Sequence, residues 1–501
     1  MDSFNRLTQK NNLGVIAIVA IVAALAGVFF PIGYLPIFWS LVALVTVMVL
    51  WANFGDLMNL ILVWFVSVSC FSYLFWRENI DFIGGISFNI TIDRLFILVL
   101  VLVAVLALFI GRMPIKPAPN VLRVILVLLA YLTFSLLYSG FSSIAEVRPH
   151  FRLAGGYYFP LIVLLVTYFA VNNEPQIRKI CWFFLFFGLY LAITAWAEHF
   201  KIWSIVFPRY IADPEYGIHW GRARGPFLVS ASLGITLVFC FFNNLYLASR
   251  TVGPVRSWIH LVNLLMLPAI FFTQTRSVWL AMMICAFLWI GMVRRIRSRV
   301  AVMMLFLAAM IVGGAIFWSD ILSRDRTQGG VTDPYPVYAR LGLAKMTWQM
   351  FCDHPILGVG FGHFRDHAAN YPQDPTSKYI RFGSRLMEHN NFLSILAESG
   401  IIGLTLYLIM LVMIFRHSLR LYRRIPPDAG GWVSRDLVIL FWILMVDYLI
   451  DGMFRETSVD PFNNGLFFAF TGLILAVDYL LDYRSDPAKA LESSSRMPFQ
   501  A

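Results

Sequence analysis

Charge is what this sequence has least of. Asp, Glu, Lys and Arg make up 13% of its 501 residues, against roughly 25% in a soluble protein. That excludes a water-soluble globule, because no such chain could hide 59% hydrophobic and 16% aromatic residues. Cysteine is scarce too. Of Cys70, Cys181, Cys240, Cys285 and Cys352, only the last falls outside an apolar run, and no CxxC pair occurs. A disulfide framework and a thiolate metal site are both excluded. Acidic residues are outnumbered, leaving a net charge of +11. The basic residues sit between hydrophobic runs rather than on one soluble face, which excludes nucleic acid as the partner and points to loop retention and anionic lipid.

What the chain has in abundance is long apolar runs, with a mean hydropathy of +0.73. At about 20 residues per transmembrane helix, these predict an all-α polytopic membrane bundle of about fourteen helices. The spans fall near 14–30, 34–51, 57–75, 94–110, 121–138, 157–171, 180–197, 228–248, 257–272, 277–292, 299–317, 392–415, 436–451 and 463–481. Lys10, the apolar run after it and Ala24-Leu25-Ala26 resemble a signal peptide, but the run continues through Phe29 and Phe30 and favours an uncleaved anchor.

With the amino terminus in the cytoplasm, each even-numbered connection is short and basic. Examples are Arg112, Lys116 and Arg123, then Arg250 and Arg256, then Arg416, Arg420, Arg423, Arg424 and Arg435. The positive-inside rule selects this orientation. The expected organisation is a cytoplasmic tail at 1–13, helices 1–11 over 14–317, an extracytoplasmic loop at 318–391, helices 12–14 over 392–481, and a cytoplasmic tail at 482–501.

Two external segments carry arginines against the rule. One is 198–227, with Arg209, Arg222 and Arg224; the other is 318–391, with Arg324, Arg326, Arg340, Arg365, Arg381 and Arg385. A solvated loop accounts for any one of them. As a group they suit an anionic ligand at the outer surface. Within the long loop, Val337, Leu341, Ala344, Trp348 and Phe351 recur at helical spacing, which predicts an amphipathic helix resting on the membrane or the bundle. Asp353-His354-Pro355 stops it, and Gly358-Val359-Gly360-Phe361-Gly362 reads as a tight turn packed on the bundle, since no strand precedes it as a nucleotide fingerprint requires.

Four ordered motifs over residues 222–404 resemble the O-antigen ligase and polymerase superfamily. They are Arg222-Ala223-Arg224-Gly225-Pro226-Phe227; Thr275-Arg276-Ser277-Val278-Trp279-Leu280; Asp353-His354-Pro355-Ile356-Leu357-Gly358-Val359-Gly360; and His389-Asn390-Asn391-Phe392-Leu393 with Glu398-Ser399-Gly400-Ile401-Ile402-Gly403-Leu404. The chain departs from the family where an asparagine-containing stretch often follows the first motif, reading Leu228-Val229-Ser230-Ala231-Ser232 instead. The resemblance implies a metal-independent glycosyltransferase at the outer, periplasmic face of a bacterial inner membrane. Such an enzyme moves a glycan from undecaprenyl diphosphate to an acceptor hydroxyl, on lipid A core for a lipopolysaccharide ligase or on another lipid-linked unit for an O-antigen or exopolysaccharide polymerase. Its partners would be that donor, the glycan acceptor, the bilayer and envelope polysaccharide assembly proteins.

Such a transfer needs the leaving diphosphate stabilised and the acceptor proton removed. The sequence offers no external DxD pair for a metal; Asp320 with Asp325, or Asp366 with Asp374, are poorly spaced. Guanidinium can replace the metal on phosphate oxygens. Arg276, opening an apolar helix at the outer boundary, is the first choice and Arg222 the second. Arg224 is an alternative that a two-residue spacing does not separate from Arg222, and Arg340 is a further diphosphate contact. His389 is the candidate general base. Attack opposite the diphosphate would invert the anomeric centre. Glu398, nine residues on and pointing to the other side of a helix, reads as a buried structural partner for an arginine, and Gly400 and Gly403 as helix-packing glycines. Asp56, Asp447 and Asp451 are boundary or intramembrane carboxylates with no basic partner evident at their depth.

The competing reading is a transporter of bicarbonate or another small anion. Transporters favour internal repeats; no duplicated halves occur here, and the polar residues gather at one face. A scaffold in an envelope assembly machine is a third reading, which would not need the arginines and histidine. The motifs do not divide ligase from polymerase.

Overall fold

The computed structural model describes residues 57–71, 77–81, 87–109, 116–141, 143, 148–293, 304, 335–368, 370–371 and 390–485. The expected spans 14–30, 34–51 and 299–317, together with Asp56, much of the loop 318–391 and His389, lie outside them. Among the described residues the chain is nearly all helical, and eight helices are long and apolar enough to cross a membrane.

The first described helix is α1 (Leu57–Cys70), followed by a hairpin that the hydropathy pattern does not predict. Its strands β1 (Arg77–Asp81) and β2 (Ser87–Thr91) pair antiparallel, with Arg77 opposite Thr91. Phe88 and Ile90 alternating with Ser87, Asn89 and Thr91 is the half-apolar pattern of a strand. Then come α2 (Ile92–Phe109), α3 (Asn120–Ser139) and α4 (Pro149–Ala170). Helix α4 starts eight residues before the expected span at 157. Pro149 suits a first helical turn, and a π-helical stretch at Ala154–Tyr158 carries the helix through the glycine pair. Arg152 therefore lies inside a helix rather than in a loop.

Helix α5 (Glu174–His199) opens on a capping box between Asn173 and Gln176. Next are α6 (Ser230–Ser249), α7 (Gly253–Phe272) and the shorter apolar α8 (Arg276–Met292). In the long loop lie α9 (Tyr335–Asp353) and the short α10 (Phe364–Ala368). The bundle closes with α11 (Asn391–Arg424), α12 (Arg435–Gly452) and α13 (Pro461–Ser485).

Burial sorts these helices. α6 and α13 are 89% and 83% buried along their apolar windows, whereas α2 and α7 are 35% and 33% buried and present their remaining surface to lipid. Lipid tails give helices no hydrophobic drive to associate, so close backbone approach carries the packing. Gly472 of α13 illustrates it: a Cβ there would stand 2.4 Å from the Leu164 carbonyl oxygen of α4.

The connections sort to two ends. At one end Lys116 Nζ donates to Val171 O at 2.6 Å, Trp432 N to Glu174 Oε2 at 2.9 Å, and Arg250 Nη2 to Asp436 Oδ2 at 2.9 Å. The other, loop-rich end gathers residues 139–141, 148–150, 200–229, 272–276, 354–364 and 453–460.

Helix α9 is amphipathic, but not on the expected face alone. Leu343, Met346, Thr347 and Met350 are buried, packing toward Val359, Phe364 and Ala397. Leu341 and Trp348, from the expected stripe, are 61% and 56% exposed. Ala344 and Phe351 of the same stripe are half-buried, so the stripe picked from the sequence is rotated away from the face that the bundle covers.

Candidate functional site

The glycine-rich loop and the break in α11 form one unit. Gly400 sits at φ 62° and ψ −165°, outside the helical region, so α11 is two helices joined at a kink. The kink frees carbonyls, and neighbouring segments take them up. Val359 N donates to Ala397 O and Gly360 N to Glu398 O, both at 2.9 Å, and Ile401 N donates to Pro355 O at 2.9 Å. Tyr131 Oη donates to Ser399 O at 2.6 Å. A Cβ on Gly400 would lie 2.2 Å from Ile356 O. Its role is thus backbone conformation as well as close approach.

Below the break lies a buried charge cluster. Arg152 Nη1 donates to Glu398 Oε1 at 2.9 Å, and Nη2 bonds Glu456. Glu456 also accepts from Ser394 Oγ at 2.6 Å, and Glu398 accepts from Phe364 N at 3.3 Å. Glu398 is the buried partner of an arginine, and that arginine is Arg152. The residue before Glu456 extends the cluster. Arg455 Nε donates to both oxygens of Asp451 at 2.6 Å, and Nη1 donates to Asp460 Oδ2 at 2.9 Å and Ser232 Oγ at 2.8 Å. Asp451 therefore has a basic partner, one helical turn away. Burial pushes the Asp460 carboxyl up, but Arg455, the Asn463 amide and the Ser232 hydroxyl overcome it and hold it below the usual carboxylate range. Asp447 is fully buried, and neither oxygen has a hydrogen-bond partner among the described residues.

Beside this cluster, two arginine-bearing segments distant in sequence come together. Ala223 N donates to Phe272 O at 3.1 Å. Ser230 Oγ lies 3.0 Å from both Thr275 Oγ1 and His219 Nδ1. The stretch 222–230 is thereby tied to the turn that opens α8 at Arg276. Arg276 is exposed and Arg222 half-buried. Ser230 and Ser232, in the stretch that departs from the family pattern, supply two of these polar links.

Arg224 differs from Arg222. It is fully buried, with Nη1 donating to Tyr216 O at 2.6 Å and Nη2 to Ile211 O at 3.0 Å and Asp213 O at 3.2 Å. The guanidinium lies 4.7 Å from the Trp220 ring, and Glu198 Oε2 accepts from the Arg224 and Gly225 amides at 2.9 and 2.7 Å. Burial pulls its pKa below the usual arginine value, opposed by Glu198 and Asp213. Arg224 is engaged in folding its own loop.

Arg340 is exposed on α9, its guanidinium 5.5 Å from the Phe454 ring and so beside the loop 453–460. Asn390, which follows His389 in the chain, caps α11 by accepting from Phe392 N and Leu393 N at 3.0 and 3.1 Å, and its Nδ2 donates to Met453 O at 3.2 Å. Asn391 is buried, donating to Tyr407 Oη at 2.9 Å and accepting from Ser458 N at 3.1 Å. Both asparagines of the His389-Asn390-Asn391 motif thus fix the start of α11 to the loop 453–460.

Sequence reasoning missed Arg152, Arg455 and His363. His363 Nδ1 lies 2.6 Å from Asp366 Oδ2 and Nε2 lies 3.1 Å from Gly140 O, which fastens the loop to the end of α3. Among the described residues, no group of three or more His, Cys, Asp or Glu is placed to hold a metal ion.

Residues 261–408 match the family model described as O-antigen ligase. Over that stretch the chain is similar to the O-antigen ligases. No curated protein matches the chain. The O-antigen ligase match runs from α7 into α11 and takes in Arg276, Arg340, the glycine-rich loop, His389 and Glu398; Arg152, Arg222, Arg224 and Arg455 lie outside it. Together with the apolar helices, it supports a bacterial membrane protein with an O-antigen ligase-type, glycan-transferring function, working in a lipid bilayer on glycan-linked substrates.

Proposed function

We propose that this chain transfers a glycan from undecaprenyl diphosphate to an acceptor hydroxyl at the periplasmic face of the bacterial inner membrane, without a metal ion. The observation that carries the reading is the union of the 222–230 segment with the opening of α8, which draws the chain at Arg222 toward the chain at Arg276 beside the loop 453–460. Guanidinium groups there suit a diphosphate, because their planar forks match phosphate oxygens. Arg340 adds a third positive group on the side of that loop. Arg224 acts as a positioning residue that shapes the loop on which Arg222 stands.

In the reaction, the acceptor oxygen attacks the anomeric carbon while the bond from that carbon to the diphosphate breaks. Arg276 and Arg222 offset the charge that develops on the departing diphosphate. The acceptor proton passes to His389, imidazole being the side chain that accepts a proton most readily at neutral pH. Attack opposite the leaving group inverts the anomeric centre. The acceptor is lipid A core or a second lipid-linked glycan.

The test is release of undecaprenyl diphosphate by the purified protein, followed with and without EDTA. The expected result is release coupled to glycan transfer and unchanged by the chelator. Loss with EDTA and rescue by Mg²⁺ would overturn the metal-free chemistry; coupled release in neither condition would overturn the transferase reading.

A further inference from the structure

The end of α11 remote from Gly400 carries a feature that glycan transfer does not use. Along one side of this helix Leu408, Ile409, Val412 and Phe415 are 42%, 43%, 53% and 42% exposed, an apolar stripe turned to lipid. The stripe then turns basic. Arg416, Arg420 and Arg423 follow at spacings of four and three residues, which places them on one face of the helix, and all three are exposed.

Their neighbours pair with carboxylates. Arg424 bonds Asp478 and Asp482, and His417 lies 3.3 Å from Asp478. Among the described residues no carboxylate pairs with Arg416, Arg420 or Arg423, and the Arg420 Nε donates to the Arg416 carbonyl at 3.4 Å. With Met413 and Leu419 the three line a recess of about 550 Å³. A run of charges that merely faces water needs neither an apolar wall nor a lipid-facing stripe leading into it.

We propose that this recess binds the headgroup of an anionic phospholipid, with the arginines on its phosphate and the acyl chains along the stripe above. The dimensions agree. Leu408 to Arg423 rises about 22 Å at 1.5 Å per residue, close to the roughly 15 Å of one leaflet's hydrocarbon plus its headgroup layer. Guanidinium matches phosphate oxygens bidentately, and each basic residue beside an anionic lipid surface contributes about fivefold in binding, so three contribute on the order of a hundredfold.

Native mass spectrometry of the full chain in detergent, titrated with phosphatidylglycerol or phosphatidylcholine, tests this. The wild type is expected to bind phosphatidylglycerol in preference. The variant carrying Arg416→Gln, Arg420→Gln and Arg423→Gln is expected to lose on the order of a hundredfold of that affinity at unchanged phosphatidylcholine binding. Lysine at the same three positions should keep much of it. Should the triple glutamine variant not fold, Arg420→Gln alone reports a loss of about fivefold. Equal binding of the two lipids, full retention by the glutamine variants, or displacement of phosphatidylglycerol by millimolar inorganic phosphate would each overturn the proposal, the last by making this a site for free anions.

Discussion

Arg152 on α4 and Glu398 on α11 meet Nη1 to Oε1 at 2.9 Å, both sealed from solvent. The same guanidinium holds Glu456, so one side chain ties α4, α11 and the loop after α12. Removing it would leave two buried carboxylates without their counter-charge, a loss of about 3–5 kcal/mol. Arg152→Met should therefore lower the thermal unfolding midpoint in detergent well beyond a surface substitution. Arg152→Lys should recover part of the loss, because an ammonium cannot present the same fork to two carboxylates. Unfolding of Arg152→Met at the wild-type midpoint would remove this pair from the account.

Gly400→Ala addresses the break in α11. The residue's φ of 62° is strained for alanine, and the added Cβ would lie 2.2 Å from Ile356 O. The backbone strain alone costs about 1–3 kcal/mol. The expected outcome is faster hydrogen exchange at the Val359 and Gly360 amides, which bond to Ala397 and Glu398 across the break. Unchanged protection would mean that the loop does not depend on the kink.

Arg222 and Arg224 should separate by assay. Arg224 is engaged by three carbonyls, so Arg224→Gln should lower stability and loosen the loop that carries it. Arg222→Gln should cost less stability than Arg224→Gln, because Arg222 is only half-buried, and should lower donor turnover. Arg276→Gln should act like Arg222→Gln but more severely, by about 10²–10³-fold if it stabilises the leaving group. Arg276→Lys with full activity would exclude bidentate contact there.

The packing of α9 and α10 on the bundle should weaken in acid. Burial lowers the pKa of His367, helped by nearby His354 and His363 and opposed by Asp366. A histidine with its folded pKa below the unfolded value of about 6.5 contributes stability above that value and loses it as pH falls through the folded pKa. Protease cleavage within 354–368 should accordingly accelerate below about pH 6 in the wild type and become less pH-dependent in His367→Gln. An identical pH profile in both proteins would exclude His367 as the cause.

The helices were legible wherever an apolar run was long. What the sequence hid was where charges enter a helix. The span containing Arg152 reads from 157 because Gly155 and Gly156 interrupt the hydropathy, yet a π-turn carries the helix straight through them. Arg455 stands four residues from Asp451, a legible helical spacing, but Gly452 ends the apolar run and disguises the pair. Gly400 looks like any packing glycine until its φ is seen. Arg222 and Arg224 are alike in sequence, and only the tertiary path of residues 211–216 reveals that their carbonyls hold Arg224. Periodicity finds an apolar face, but on α9 it cannot say which of two such faces the bundle covers.

The central claim is glycan transfer with His389 as base, and the direct measurement is transfer from an undecaprenyl diphosphate donor by purified wild type and His389→Ala. The account predicts transfer by the wild type and a loss of about 10²–10⁴-fold in a variant that unfolds at the wild-type temperature. Full activity in that variant would contradict the role of His389, and a well-folded wild type that transfers to no glycan or lipid A core acceptor would contradict the claim itself.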